Sequence, residues 1–221
     1  MNRSEREAVV DSIARNKIIA ILRGVEKEKL IPLAEALYAG GVRLLEITFN
    51  ACGDPSDEET AESIALLAEH MKGRMYVGAG TVLTEKQVDL TKAAGGSFII
   101  SPSTDEAVIA HSRFEGMVSI PGALTPTEIV IAHRAGADFV KLFPVSSLGA
   151  SYIKAVSAPL SHIKLLAVGG VTPENMDEYF AAGAVGFGIG TNIVDKKLLA
   201  AEDYAGITAL ASKYTKAAEK R

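Results

Sequence analysis

The chain has 221 residues, 48% of them hydrophobic, and no low-complexity tract, so it can bury a substantial core and is not expected to be disordered. Its net charge of −4 excludes bulk attraction to nucleic acid or to an anionic membrane, and an anionic ligand must therefore be held by a local site. The single cysteine, Cys52, permits no internal disulfide and fits a reducing cytoplasm; the polar start Met1-Asn2-Arg3-Ser4-Glu5-Arg6-Glu7 is unlike a signal peptide, and no apolar run reaches the roughly 20 residues of a membrane span.

In chain order, Ser4-Glu5-Arg6-Glu7 opens a helix ahead of the first strand, where it can plug the N-terminal end of a barrel. Short β-branched or aliphatic runs then recur at Lys17–Leu22, Arg43–Thr48, Met75–Val77, Ser97–Ile100, Met117–Ile120, Phe139–Phe143, Ile163–Val168 and Val185–Ile189, with Ala-, Glu- and Leu-rich helical segments between them. Eight strands alternating with helices predict a parallel sheet. An Ala-Gly-(Gly or Ala) echo at Gly40, Gly95, Gly136 and Gly183 marks strands two, four, six and eight, each glycine suiting a left-handed helix end. Thr84-Glu85-Lys86-Gln87 reads as a capping box, and Thr125-Pro126 and Thr172-Pro173 each place a cap before a proline at the first helical position. Leu22-Arg23-Gly24-Val25 after strand one is not a dinucleotide fingerprint, and no Walker A sequence exists, which disfavours an open doubly wound sheet. The expected fold is a single α/β domain over residues 1–221, a (β/α)₈ TIM barrel with an extra N-terminal helix.

Reacting groups in such a barrel gather at the C-terminal ends of its strands. Strand six carries Lys141 inside Asp138-Phe139-Val140-Lys141-Leu142-Phe143-Pro144. Period two puts Phe139, Lys141 and Phe143 on one face; a lysine near a strand end ordinarily snorkels to water, but in so apolar a setting its pKa can fall, and a neutral amine can attack a carbonyl. Strand two carries Glu46 in Leu44-Leu45-Glu46-Ile47-Thr48. Both strands are even-numbered, so the two side chains can share an interior layer, with Glu46 as proton shuttle; a salt bridge to Lys141 or Arg23 would be the purely structural alternative. Strand three ends Val77-Gly78-Ala79-Gly80-Thr81, where small residues suit either close approach of a ligand or a tight turn, and the Thr81 hydroxyl can bind a carboxylate. Gly169-Gly170 and Gly190-Thr191 end strands seven and eight, the customary phosphate loops of this fold. The four histidines lack ligand spacing, so no metal is expected.

Ile19-Ala20-Ile21-Leu22-Arg23-Gly24, Gly40-Gly41-Val42-Arg43-Leu44-Leu45-Glu46-Ile47-Thr48, Val77-Gly78-Ala79-Gly80-Thr81-Val82-Leu83, Ile100-Ser101-Pro102, Ile120-Pro121-Gly122 and Phe139-Val140-Lys141-Leu142-Phe143-Pro144, in that order, resemble the KDPG/KHG aldolases. The resemblance spans strands one to eight. It implies a metal-free and cofactor-free class I aldolase, a cytoplasmic homotrimer, that cleaves 2-keto-3-deoxy-6-phosphogluconate to pyruvate and glyceraldehyde 3-phosphate, with 4-hydroxy-2-oxoglutarate as a further substrate. It implies Lys141 as the Schiff-base lysine, Glu46 as the acid/base, Thr81 at the pyruvate carboxylate, Pro102 and Phe143 lining the pyruvate pocket, and Gly169, Gly170, Gly190 and Thr191 at the phosphate. Two departures stand out. Asn50 replaces a substrate-holding arginine, and Ala167-Val168-Gly169-Gly170 replaces Pro-Thr-Gly-Gly. Both look more like the 6-phosphogalactonate branch, with Arg23 available to supply the missing charge. Two other classes fit the same barrel: a phosphosugar isomerase or epimerase with Glu46 as base, and a non-catalytic phosphosugar-binding protein.

Overall fold

The computed structural model describes residues 3–219. Nine parallel strand segments form one sheet in the order β5-β4-β3-β2-β1-β9-β8-β7-β6. They are β1 (Ile18–Leu22), β2 (Leu44–Thr48), β3 (Tyr76–Gly80), β4 (Phe98–Ile100), β5 (Val118–Ile120), β6 (Gly122–Ala123), β7 (Val140–Leu142), β8 (Leu165–Val168) and β9 (Ala184–Ile189). The ninth segment, absent from the sequence reading, comes from Pro121. It has no N–H for the ladder and splits one stave into β5, which pairs with β4, and β6, which pairs with β7. The Pro121 carbonyl still accepts from the Lys141 N–H at 2.9 Å, so the split stave bridges the two ends of the sheet and eight staves close round the barrel.

The interior is filled in layers. Inward-facing Ile19, Leu44, Phe98, Val118, Phe139 and Leu166 pack into one buried cluster, and α1 (Arg3–Asn16) adds Val9 and Ile13 to it from below. The N-terminal helix is the plug its position predicts. The Arg6 guanidinium fixes it by bonding the Asp138 carboxylate at the foot of β7. Glu46 lies two residues beyond Leu44, and Lys141 two beyond Phe139, so period two lifts both polar groups onto the same side of this apolar floor. The second cluster lies between staves and helices and takes the alternate residues, including Leu45, Ile47, Val140 and Leu142.

Helix starts follow the cap chemistry in part. Thr125 and Glu128 form a full capping box at α6 (Pro126–Arg134). At α4 (Glu85–Ala93) Thr84 caps the Gln87 N–H, but the Gln87 amide turns away to Leu83 N and Asp57, so only half of the expected box forms. The helix expected at Thr172-Pro173 begins later, as α8 (Met176–Ala181), because Asn175 accepts from Thr172 N and donates to the Gly170 carbonyl, holding the chain in a turn. Of the echo glycines, Gly95, Gly136 and Gly183 are left-handed, whereas at the first echo that residue is Gly41, with φ 95°. Gly40 instead lets α2 (Lys27–Ala39) approach α10 (Tyr204–Glu219), since a Cβ there would lie 2.5 Å from Ala211 Cβ.

Candidate active site

A cavity of about 680 Å³ opens at the C-terminal ends of the staves. Lys141 reaches it from β7, Arg23 follows β1, Thr81 follows β3, and Pro102 and Phe143 complete one side. Gly169 and Gly170 after β8 and Gly190 and Thr191 after β9 form the other. Ten of the eleven residues read from the sequence therefore meet at this cavity or, as with Glu46, just beneath it.

Glu46 is 1% exposed and Lys141 is 6% exposed. Both Glu46 carboxylate oxygens are buried without a hydrogen-bond partner, so the purely structural salt bridge is not formed. Burial raises the Glu46 pKa, with the charges of Lys141 and Arg23 opposing it only in part. Burial also lowers the Lys141 pKa, against the pull of Glu46 and with help from Arg23. Desolvation disfavours the charged form of each group. Both groups are thus pushed toward their neutral forms, an amine able to attack a carbonyl and a carboxyl able to donate a proton. The Lys141 Nζ stands 5.0 Å from the Phe143 ring centroid, an apolar wall on its open side.

Glycines make room for this acid. A Cβ on Gly80 would lie 1.7 Å from Glu46 Oε1 and 2.4 Å from its Cδ, and one on Gly78 would lie 2.4 Å from the Phe98 ring. The small residues of β3 house the Glu46 carboxylate and the ring below it. The left-handed residue falls one position later, on Thr81, with φ 56°. A β-branched side chain there costs about 1–3 kcal/mol, a cost typical of binding sites. Arg23 Nη2 donates to Thr81 Oγ1 at 3.2 Å, placing a cation and a hydroxyl side by side.

The two glycine loops are tied together. Asn192 Nδ2 donates to the Val171 carbonyl at 2.9 Å, joining the loop after β9 to the loop after β8. Gly169 and Gly170 have φ 102° and 70°, a curled backbone that L side chains resist and that leaves main-chain groups open to a ligand.

Asn50 is the exception. It lines a neighbouring cavity of about 540 Å³ that shares Arg23 and Glu26 with the first. Its amide is spent on its own loop, donating to the Asp54 carbonyl and accepting from Cys52 N at 3.0 Å. Sequence reasoning also missed Lys29 and Lys196, which line the Lys141 cavity. Their only signal was position, one turn into the helix after β1 and at the start of the helix after β9. Outside the cavity, Asp89, His111 and Glu115 hold possible metal-ligating atoms within 4.8 Å of one another. His111 Nε2 there lies 2.6 Å from Asp89 Oδ1, and that hydrogen bond raises the His111 pKa.

Against known proteins, the family model for KDPG and KHG aldolase matches residues 9–210. A probable 2-dehydro-3-deoxy-6-phosphogalactonate aldolase of Rhizobium meliloti (strain 1021) is 39% identical over 80% of this chain and 81% of its own length. The 2-dehydro-3-deoxy-phosphogluconate aldolase of Treponema pallidum (strain Nichols) is 33% identical over 91% of this chain and 93% of its own. Among solved structures, the KDPG aldolase of Legionella pneumophila, with pyruvate captured as a covalent carbinolamine, superposes with a TM-score of 0.82 at 28% identity, covering 92% of this chain and 96% of that one.

Proposed function

The chain belongs to the KDPG and KHG aldolase family, and from that premise we propose that it is a Schiff-base aldolase cleaving 2-keto-3-deoxy-6-phosphogluconate to pyruvate and glyceraldehyde 3-phosphate, and 4-hydroxy-2-oxoglutarate to pyruvate and glyoxylate. The observation that carries this reading is the desolvated pair, Lys141 pushed toward the neutral amine and Glu46 toward the protonated acid with no hydrogen bond to hold either oxygen. Neither an isomerase nor a phosphosugar sensor needs a neutral lysine.

Lys141 Nζ attacks the C2 ketone, and Glu46 protonates the oxygen so that water leaves the carbinolamine. The protonated imine is an electron sink. As the C4 hydroxyl proton passes to the Glu46 carboxylate, the C3–C4 bond breaks, the aldehyde leaves, and the bonding electrons form an enamine on Lys141. Proton return to C3 and hydrolysis release pyruvate and regenerate the amine. Arg23 and Thr81 suit the pyruvate carboxylate, Pro102 and Phe143 shield its methyl end, and Gly169, Gly170, Gly190 and Thr191 suit the phosphate. The test is direct: enzyme with substrate should yield pyruvate to lactate dehydrogenase, and enzyme with pyruvate and borohydride should carry a reduced adduct on Lys141. Absence of both refutes the aldolase reading.

The galactonate epimer has its own support in the 39% identical relative and in Asn50. Asn50→Arg would untie the loop that now engages the amide and place a guanidinium beside Arg23. The expected outcome is a shift of kcat/KM toward the gluconate epimer by about 10-fold, the size of one charge-assisted contact; an unchanged ratio removes position 50 from epimer selection. The protein is taken to act as one barrel domain over residues 1–221, as a cytoplasmic homotrimer like its family. Among the described residues no helix is long and apolar enough to cross a membrane.

A further inference from the structure

Four cationic side chains, Arg23, Lys29, Lys141 and Lys196, line the main cavity against one lining carboxylate, Glu26, in a chain whose net charge is −4. Three of the four are already engaged. Lys141 is the buried amine, Arg23 bonds Thr81, and Lys29 pairs with Glu26 at 2.8 Å. Lys196 is different: among the described residues no hydrogen bond or ion pair holds its ammonium. The acid next to it, Asp195, is committed elsewhere, its Oδ1 accepting from Lys197 N at 2.8 Å and Leu198 N at 3.0 Å as the cap of α9 (Lys196–Ala200). Lys196 is exposed on the cavity wall, and with no protein partner its ammonium is free to meet an anionic ligand entering there. Lys196 follows β9, five residues beyond Thr191, and Lys29 stands on α2 after β1, the stave paired with β9.

We propose that Lys196, assisted by Lys29, is the charge partner of the substrate's phosphate dianion and sets the preference for phosphorylated over unphosphorylated keto acids. The proposal rests on the aldolase reading and deepens it. Backbone groups of the glycine loops give the phosphate its position, while the two ammonium groups give it charge. Lys29 exchanges Glu26 for the phosphate as the ligand enters, so Lys29 contributes less than Lys196.

The experiment compares wild type, Lys196→Gln, Lys29→Gln and Lys196→Arg on 2-keto-3-deoxy-6-phosphogluconate and on unphosphorylated 2-keto-3-deoxygluconate, over a range of ionic strength. In Lys196→Gln, KM for the phosphorylated substrate should rise about 10-fold with kcat held, and its salt dependence should weaken. Lys29→Gln should show a smaller rise of the same kind, and Lys196→Arg should recover most of the loss. Constants for the unphosphorylated substrate should stay within about twofold of wild type, since they contain no phosphate contact. Equal losses on both substrates, or no loss in Lys196→Gln, would overturn the proposal. Borohydride trapping with pyruvate is run alongside on all four proteins. A wild type that forms no adduct indicts the aldolase reading, whereas normal trapping with unchanged KM in Lys196→Gln indicts the role of Lys196 alone.

Discussion

Lys141→Met is expected to lower kcat by on the order of 10⁴-fold or more, the scale seen when a covalent nucleophile is removed, to abolish the borohydride adduct, and to leave the barrel folded and more stable at neutral pH. The activity and stability effects share one cause. Lys141 is 6% exposed above the apolar layer that includes Phe139, so folding strips hydration from its amine, and the pull of the Glu46 charge offsets that only in part. Methionine has similar length and no charge to desolvate. The sign with pH follows from linkage. The folded pKa lies below the unfolded value of 10.5, so between the two the unfolded chain binds more protons and wild-type stability climbs as pH rises. The advantage of Met should therefore be full below the folded pKa and fade as pH approaches about 10.5. Melting curves of both proteins at neutral pH and near pH 10 measure it. A variant no more stable than wild type at any pH would mean a solvated, charged amine. Lys141→Arg should be as inactive as Lys141→Met, because a guanidinium is not deprotonated in proteins; pyruvate release by either variant ends the covalent role.

How far the sequence foretold this site depends on the range of the physics involved. Lys141 and Glu46 were legible because a charged residue within an apolar strand conflicts with its surroundings, and period two decides which face it occupies. The plug helix was legible from position alone. Pro121 was visible in the sequence, yet its effect depends on which neighbours the stave must pair with, and that is long-range. Asn50 shows the opposite limit: its side chain folds back on Cys52 and Asp54, a local turn preference that a motif comparison does not weigh. Lys196 was illegible because a surface lysine in sequence becomes an unpaired cation on a cavity wall only when β9 and β8 bring their loops together and Asp195 turns to cap a helix. The glycines of β3 were noticed but their fit round Glu46 was not, since the atom that needs the missing Cβ is 34 residues away on the neighbouring stave, Glu46 opposite Gly78 in register.

Gly80→Ala turns that last point into the second large effect, a loss of about 10²-fold or more in kcat from one added methyl group, the range assigned to losing a general acid/base. The new Cβ would lie 1.7 Å from Glu46 Oε1, 2.4 Å from Cδ and 2.6 Å from Cγ, so the whole carboxylate must leave its place. Gly80 is not among the left-handed residues, so alanine meets no backbone strain. Overpacking of this kind costs about 1–3 kcal/mol, and part of it is offset because a displaced Glu46 regains hydration in the cavity above. The protein should stay folded and still bind pyruvate, while adduct formation slows with turnover, since Glu46 also serves dehydration of the carbinolamine. A steric effect on some other group would produce the same single-variant result, and the double variant separates the two. In Glu46→Ala the space facing residue 80 is empty, so Gly80→Ala should cost almost nothing there, and the two losses should be strongly non-additive. Additive losses across the four proteins would mean that Gly80 acts on catalysis by a route that does not pass through the Glu46 carboxylate.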